Sequence, residues 1–153
     1  MGKKKLLFHV FFLILIFIIN QNKLNSHESK FVLKNKIQID LEISDTFEKR
    51  EIGLMYRKFL DKFKGMIFIY DKVEIVNIWM YNTYIPLDII FLKDKNIINI
   101  KKNASPCLQL PCESYSSKEP IDTVIEINAG MSDQLKLKIG DNLEIFSGTN
   151  IVF

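Results

Sequence analysis

Histidine is almost absent from this 153-residue chain. The two histidines are His9 and His27, and both stand in or beside the N-terminal segment. The rest of the chain therefore has no imidazole for a Ser–His or Cys–His nucleophile pair, or for a histidine-ligated metal. It also lacks a P-loop and a glycine-rich dinucleotide fingerprint. We therefore predict no cofactor and no metal, and any proton transfer falls to carboxylate, tyrosine or lysine side chains.

Basic residues gather at the N-terminus, where Lys3, Lys4 and Lys5 precede an almost wholly apolar run from residue 6 to residue 19. A charged start followed by an apolar run of this length is typical of a signal peptide. It is short for a membrane-spanning helix, which needs about 20 apolar residues. Residues 1–26 are thus predicted to be a cleaved signal peptide or an N-terminal membrane anchor. We expect a periplasmic or other extracytoplasmic location, with membrane contact only through this segment.

The positive net charge belongs to the same segment. The chain has 21 Lys+Arg and 18 Asp+Glu, and four of the lysines lie before residue 27, which leaves 17 against 18 and a net charge of −1. A basic surface for nucleic acid is therefore not expected, and we predict neither DNA nor RNA as a partner. Residues 27–153 are long enough for a single globular domain with its own core.

Cysteine is scarce, and the two present, Cys107 and Cys112, stand in "ASPCLQLPCESY" with four residues between them. This is not the redox-active C-x-x-C spacing, and zinc would need further Cys or His ligands. The alternatives are two free thiols in a loop or a disulfide. Because the N-terminus indicates export to an oxidising compartment, we favour a disulfide that shapes its own loop.

Short apolar runs and apolar–polar alternation predict strands through most of residues 27–153. They lie at 31–43 (with a possible hairpin turn near Lys34–Asn35), 65–70, 74–80, 86–93, 97–101, 122–128 and 142–146. Helical patterns are confined to residues 44–60 and 129–137. We therefore predict an α+β fold: a β-rich, mostly antiparallel sheet curled into a small barrel, with two short helices.

Arginine is used only twice, at Arg50 and Arg57. They lie seven residues apart on the first predicted helix and would share one face of it. Arginine offers a planar fork that lysine cannot copy, so the pair indicates an anionic ligand or a substrate carboxylate. The alternative is an internal salt bridge, which we expect for at least one of the two.

Two carboxylates stand inside apolar strands, Asp88 in "LDIIFL" and Glu126 in "VIEIN". A buried carboxylate needs a partner or an opening to water, and without either its pKa rises and it can act as an acid or base. Structural pairing, for example with an arginine, is one alternative. The other is a hydrolase in which both carboxyl groups face one pocket.

The stretch "NIWMYNTYIPLDIIF", residues 77–91, holds the only tryptophan. Trp79, Asn82, Thr83 and Tyr84 surround a corner between two predicted strands. Flat rings beside amides and hydroxyls are how many sites hold sugars and other small polar ligands. The alternative is that Trp79 belongs to the core and that the Asn82–Thr83 pair bonds its own turn.

Several motifs together resemble the domain-of-unknown-function family number 192. They are "R-x-x-GLMYR" (50–57), "GMIFIY" (65–70), "WMYNTYIPLDIIF" (79–91), "PCLQLPC" (106–112) and "VIEINAG" followed by "KIGD" (124–141). The resemblance implies an exported or membrane-tethered bacterial protein of uncharacterised function, with a compact β-rich fold and no known cofactor. The family's recurring polar positions map here to Arg50, Arg57, Trp79, Asn82, Thr83, Asp88 and Glu126.

These patterns favour binding over catalysis. We predict a binding or accessory module for a small polar ligand, with an envelope saccharide as candidate. In this module Trp79 and Tyr84 stack on the ligand, while Asn82, Asp88 and an arginine orient it. The alternatives are a carboxylate-based hydrolase and a structural partner protein without a ligand. The predicted ligand-binding set is Arg50, Arg57, Trp79, Asn82, Thr83, Tyr84, Asp88 and Glu126, and no catalytic residue is predicted.

Overall fold

A computed structural model of the protein describes residues 28–32, 37–147 and 150–151. The predicted signal peptide or anchor, residues 1–26, lies outside the described residues, as does the turn expected near Lys34. Within the described ranges, no helix has the length and apolar character needed to cross a membrane.

Strands dominate the described residues, and two short helices interrupt them. In chain order the elements are β1 (Glu28–Val32), β2 (Gln38–Ser44), α1 (Phe47–Ile52), β3 (Lys64–Glu74), β4 (Asn77–Trp79), β5 (Leu87–Lys93), β6 (Asn96–Ala104), β7 (Ser114–Ser116), β8 (Ile121–Asn128), α2 (Met131–Gln134), β9 (Glu144–Ser147) and β10 (Asn150–Ile151).

Eight strands form one sheet in the order β10-β9-β1-β2-β3-β8-β5-β6, and β4 pairs with β7 in a separate two-stranded sheet. Neighbouring strands are antiparallel except β2 and β3, which are parallel. The predicted β-rich α+β fold with two short helices is confirmed. The predicted barrel is not supported, because the large sheet formed by the described strands is open, with β10 and β6 as its two edge strands. The chain before β9 meets the β6 edge through an isolated bridge between Asn96 and Asn142.

Apolar side chains are buried on both faces of the large sheet. Because successive strand residues point to opposite faces, β8 places Ile125 and Ile127 in one apolar cluster and Val124 in the other. The first cluster packs against α2, whose Met131 is 2% exposed. The second is covered by segments outside the sheet, which contribute Leu54 among others. The candidate site lies on this second face.

The first helix is shorter than the predicted 44–60 and consists only of Phe47–Ile52. Thr46 caps its start, because the Thr46 side chain accepts a backbone hydrogen bond from the first turn. Gly53 ends it with a φ of 49°, a backbone conformation that favours glycine. A Cβ at Gly53 would lie 3.1 Å from the Phe68 ring, so this glycine also lets the chain pack closely on β3.

Candidate functional site

A cleft of about 350 Å³ opens between α1 and the chain that leads into β4. One side is formed by α1 and residues 53–55, and the other by residues 74–79. The large sheet contributes Phe68, Tyr70 and Glu126. The cleft thus joins three parts of the chain that are distant in sequence.

Glu126 is the most unusual group in the cleft. On β8 it pairs with Met66 of β3 and Ile89 of β5, so its strand neighbours on this face are apolar. The residue is 5% exposed, and its carboxyl group has no hydrogen bond or ion pair among the described residues. Burial raises the pKa of Glu126 to about 8. The group is therefore mostly protonated and neutral near pH 7.

Arg50 supplies the positive charge of the cleft, but backbone oxygens occupy part of its fork. Its Nη1 donates hydrogen bonds to the carbonyl oxygens of Asp45 (2.9 Å) and Ile69 (2.7 Å). Its guanidinium carbon lies 5.1 Å from the centroid of the Tyr70 ring. These contacts fix α1 to β3, so Arg50 acts first as a structural tie.

The hydroxyl of Tyr70 remains neutral in the accessible pH range. Burial is the main reason why the pKa of Tyr70 is raised to about 12. Two further acids, Glu51 and Glu74, line the cleft with exposed side chains. Neither carboxylate has a hydrogen bond or ion pair within the described residues. The mouth of the cleft therefore carries negative charge that no described residue pairs with.

Large apolar side chains are exposed around the cleft. Trp79 is 45% exposed, so it is not part of the core, contrary to that alternative. Its ring lies 5.4 Å from the Tyr81 ring rather than beside Tyr84. The exposed apolar residues that line the cleft are Phe47, Ile52, Ile75 and Trp79. Such side chains offer a ligand both flat and branched apolar surface.

The corner after Trp79 is held by Asn82, whose φ of 52° makes a tight turn. The Asn82 N–H donates to the Cys107 carbonyl at 2.8 Å, and its Nδ2 donates to the Tyr56 hydroxyl at 2.9 Å. The Asn82 carbonyl accepts from the Tyr56 N–H at 2.8 Å. Asn82 therefore joins three segments of the chain and does not line the cleft. Thr83 does line it and is 5% exposed.

The two cysteines lie at disulfide distance, with their sulfurs 2.09 Å apart. Cys107 forms isolated bridges with Tyr81 and Thr83, on both sides of the Asn82 turn. The disulfide loop therefore supports the corner from which Thr83 reaches the cleft. This extends the sequence prediction, in which the disulfide shaped only its own loop.

Arg57 lies beyond the end of α1, so it does not share a helical face with Arg50 as predicted. Its Nη1 and Nη2 each donate to one carboxylate oxygen of Glu42 at 2.5 Å. This hydrogen bonding is the main reason why the pKa of Glu42 is lowered. For Arg57 the structure supports the alternative interpretation, an internal salt bridge.

Asp88 points to the opposite face of the sheet from Glu126. It pairs with Ile127, one position along β8 from Glu126, and successive residues alternate in direction. Asp88 is 0% exposed and accepts hydrogen bonds from the Asn103 N–H (2.9 Å), the Ser132 N–H (2.9 Å) and the Ser132 hydroxyl (2.7 Å). It therefore anchors the start of α2. The two carboxyl groups share no pocket, which the carboxylate-pair hydrolase requires.

The structure brings four predicted residues to the cleft and leaves four outside its lining. Those that line it are Arg50, Trp79, Thr83 and Glu126. Outside are Arg57, Asn82, Asp88 and Tyr84, the last of which packs edge-to-face on Tyr56 with ring centroids 6.3 Å apart. Sequence reasoning did not select Tyr70, Glu51 or Glu74. Residues two apart on a strand share a face, so the spacing of Phe68 and Tyr70 on β3 could have identified Tyr70.

A second cavity of about 500 Å³ lies against β3, β8 and β9, near the β5–β6 turn. One of its acids already has partners. The carboxylate of Asp122 accepts hydrogen bonds from the Asp94 N–H (2.9 Å) and the Thr123 hydroxyl (2.8 Å). The carboxyl group of Glu126 lacks such partners, so we take the first cleft as the candidate site.

Comparison with known proteins supports the family resemblance. Residues 30–145 match DUF192, a family described as "Uncharacterized ACR". The match spans most of the chain, and the protein belongs to this family. The family description states no activity.

Similar proteins come from an archaeon and from two bacteria. A UPF0127 protein of Pyrococcus furiosus is 28% identical over 117 residues, which are 74% of this chain and 93% of that protein. A crystal structure from Sinorhizobium meliloti, whose name proposes a transcription regulator, has a TM-score of 0.67 and 35% identity, and the match covers 76% of this chain and 91% of that one. A protein of unknown function from Novosphingobium aromaticivorans has a TM-score of 0.67 and 32% identity over 76% of this chain and 83% of that one.

Proposed function

We propose that the protein is an exported binding module that holds a small saccharide-like ligand in the cleft beside α1. One observation carries this proposal. A single concavity joins the exposed ring of Trp79 to the carboxyl group of Glu126, a residue that is 5% exposed and has no hydrogen bond or ion pair among the described residues. A carboxyl group whose pKa is raised by burial and which lies in a cleft is a common feature of functional sites.

The chemistry of the cleft suits a ligand with an apolar face and hydroxyl edges. The Trp79 ring offers a flat surface on which the C–H face of a sugar can stack. A protonated Glu126 both donates and accepts hydrogen bonds, as does the Tyr70 hydroxyl, while the Thr83 hydroxyl donates to the Tyr81 carbonyl at 3.4 Å and offers a ligand an acceptor. A volume of about 350 Å³ is at the small end of the range for ligand sites, so the ligand is a small molecule.

Export is supported by the N-terminal sequence and by the cysteine pair. Lys3–Lys5 followed by an apolar run is typical of a signal peptide, and cysteines at disulfide distance suit an oxidising compartment. A fusion of residues 1–26 to alkaline phosphatase, which is active only after export, tests this. Activity in bacterial cells is expected, and an inactive fusion would contradict export.

DNA binding, which the name of the Sinorhizobium relative suggests for that protein, is not proposed here. From residue 27 onward the chain has 17 basic and 18 acidic residues, a net charge of −1. The cleft itself is lined by the acids Glu51 and Glu74. A phosphate backbone would be repelled by such a surface.

Thermal unfolding of the full-length protein against a panel of envelope saccharides tests ligand binding. A ligand present at about 100 times its Kd should stabilise the protein by about 2.7 kcal/mol. Trp79→Ala should abolish this shift. Tyr84→Ala is the matched control, because Tyr84 is 42% exposed, close to the 45% of Trp79, but lies outside the cleft lining.

Two results would contradict the proposal: no saccharide shifts the unfolding temperature, or the shift persists in Trp79→Ala. The first result would favour the alternative of a partner protein. The exposed apolar side chains of Phe47, Ile52 and Ile75 would then form the docking surface.

A further inference from the structure

The charges that line the cleft do not balance. Among the described residues that line it, Arg50 is the only basic one, whereas Glu51 and Glu74 are exposed carboxylates without an ion-pair partner in that part of the chain. Glu126 adds a third carboxyl group, 5% exposed and also unpartnered. An anionic ligand, which the two arginines indicated at first, would meet net negative charge here.

Arg50 is also poorly placed to reverse this balance. Both hydrogen bonds of its Nη1 go to backbone carbonyl oxygens, of Asp45 and Ile69, and its plane lies against Tyr70. A guanidinium held in this way cannot offer its full fork to an incoming carboxylate. The negative side chains of Glu51 and Glu74 therefore determine which ligand charge the cleft prefers.

We propose that the ligand carries a free ammonium group and is an amino saccharide, bound with its ammonium group toward Glu126, while the carboxylates of Glu51 and Glu74 give the cleft its negative charge. This inference rests on the proposed function, since it names the chemical class of ligand that the same cleft takes. The ammonium group supplies the partner that the buried Glu126 carboxyl lacks.

The remaining lining fits an organic cation better than a metal ion. In the part of the chain that the structure describes, no group of three or more His, Cys, Asp or Glu side chains could hold a metal. The exposed rings of Trp79 and Phe47 line the cleft, and aromatic faces attract ammonium groups. A sugar amine satisfies both the rings and the carboxyl groups.

Ammonium binding is linked to the protonation of Glu126. The titratable groups that line the cleft with Glu126 are Arg50 and Glu51 from α1 and Tyr70 and Glu74 from β3, while its partner on β5 is the apolar Ile89. A cation brought close to a carboxyl group favours the ionised form. Binding should therefore release up to one proton from Glu126, which a neutral saccharide would not do.

Three matched probes separate the possibilities in the full-length protein. They are the trimers of glucosamine (cationic), N-acetylglucosamine (neutral) and galacturonic acid (anionic). Binding is read from the fluorescence of Trp79, the only tryptophan of the chain. We expect the glucosamine trimer to bind about tenfold more tightly than the neutral trimer. Calorimetry in buffers of different ionisation enthalpy, at a mildly acidic pH where the amines of the glucosamine trimer and Glu126 are both protonated, should show proton release for the glucosamine trimer alone.

Two charge-neutralising variants provide the comparison. Glu74→Gln should weaken the glucosamine trimer about fivefold more than it weakens the neutral trimer. Glu119→Gln removes one charge from an exposed side chain outside the cleft and should change neither. Glu126→Gln should abolish the proton release.

The outcomes distinguish this inference from the proposed function. If the neutral trimer binds as tightly as the glucosamine trimer, or the anionic trimer binds most tightly, the ammonium preference is overturned while saccharide binding stands. If no probe changes the Trp79 fluorescence, both are overturned.

Discussion

Replacing Glu126 by glutamine should remove a pH dependence of the folding stability. The pKa of Glu126 is about 8 in the folded protein, against 4.5 for an ordinary glutamate. Between these values the folded protein holds a proton that the unfolded chain has released. The free energy of unfolding therefore falls as the pH rises through this window. Glutamine has a similar shape and does not titrate, so the variant lacks this contribution.

The size of the effect follows from the number of protons involved. A difference of one bound proton changes the free energy of unfolding by about 1.36 kcal/mol per pH unit. From about pH 5.5 to about pH 7.5 the proton difference stays close to one, so the wild type should lose about 2.5 kcal/mol relative to Glu126→Gln. Other titrating groups are common to both proteins and cancel in the comparison.

Urea unfolding of the wild type and Glu126→Gln at several pH values across this window is the assay. Glu119→Gln, with its exposed side chain, is the control and should follow the wild type. Parallel stability curves for the wild type and Glu126→Gln would refute the reasoning. They would mean that the Glu126 carboxyl group is already ionised or has a partner in the folded state.

Three further substitutions test the scaffold around the cleft, each by urea unfolding. Asp88→Ala leaves the Ser132 N–H and a second backbone N–H without their acceptor, and should lower the free energy of unfolding by about 3–5 kcal/mol. Arg57→Lys keeps the charge but loses the fork on the partly exposed Glu42, and should cost about 1 kcal/mol. Because Arg57 lowers the pKa of Glu42, its contribution is lost as the pH falls through that pKa, so the variant should lose less stability in acid. Gly53→Ala strains a φ of 49° and should cost about 1 kcal/mol or more.

Each of these substitutions has a result that would contradict its premise. Wild-type stability in Asp88→Ala would mean that α2 does not depend on this carboxylate. If Arg57→Lys loses as much stability at acid pH as the wild type does, a single point charge is enough to lower the pKa of Glu42. A fully stable Gly53→Ala would show that the end of α1 tolerates a side chain beside Phe68.

Local patterns predicted most of the fold. Apolar runs and alternation located seven of the strand-bearing stretches, and two short strands were missed: β7, which lies in a polar loop, and β10, which has only two residues. The helical pattern over residues 44–60 did not show where α1 ends, which is at Gly53, a position that also packs closely on Phe68. The cysteine pair together with the predicted export favoured a disulfide, and the two sulfurs lie at bonding distance.

The assembly of the cleft was beyond local patterns, since it depends on strand register and on where α1 ends. Alternation shows that successive residues of one strand point to opposite faces of the sheet, but it does not show whether Asp88 and Glu126, which lie on different strands, share a face. Asp88 pairs with Ile127, the neighbour of Glu126, and this register places the two carboxyl groups on opposite faces. Likewise, helical spacing placed Arg57 beside Arg50, but α1 ends at Ile52 and Arg57 turns to another partner.

The central claim is that a ligand binds where Trp79 and Glu126 meet. The most direct measurement is the indole N–H resonance of Trp79 in a ¹⁵N-labelled sample, because the chain has one tryptophan and the signal is unambiguous. Titration with the glucosamine trimer should shift this resonance in a saturable manner, with a weaker affinity in Glu126→Gln. An indole resonance that stays in place at every concentration of the trimer, while other resonances move, would place the ligand elsewhere and contradict the account.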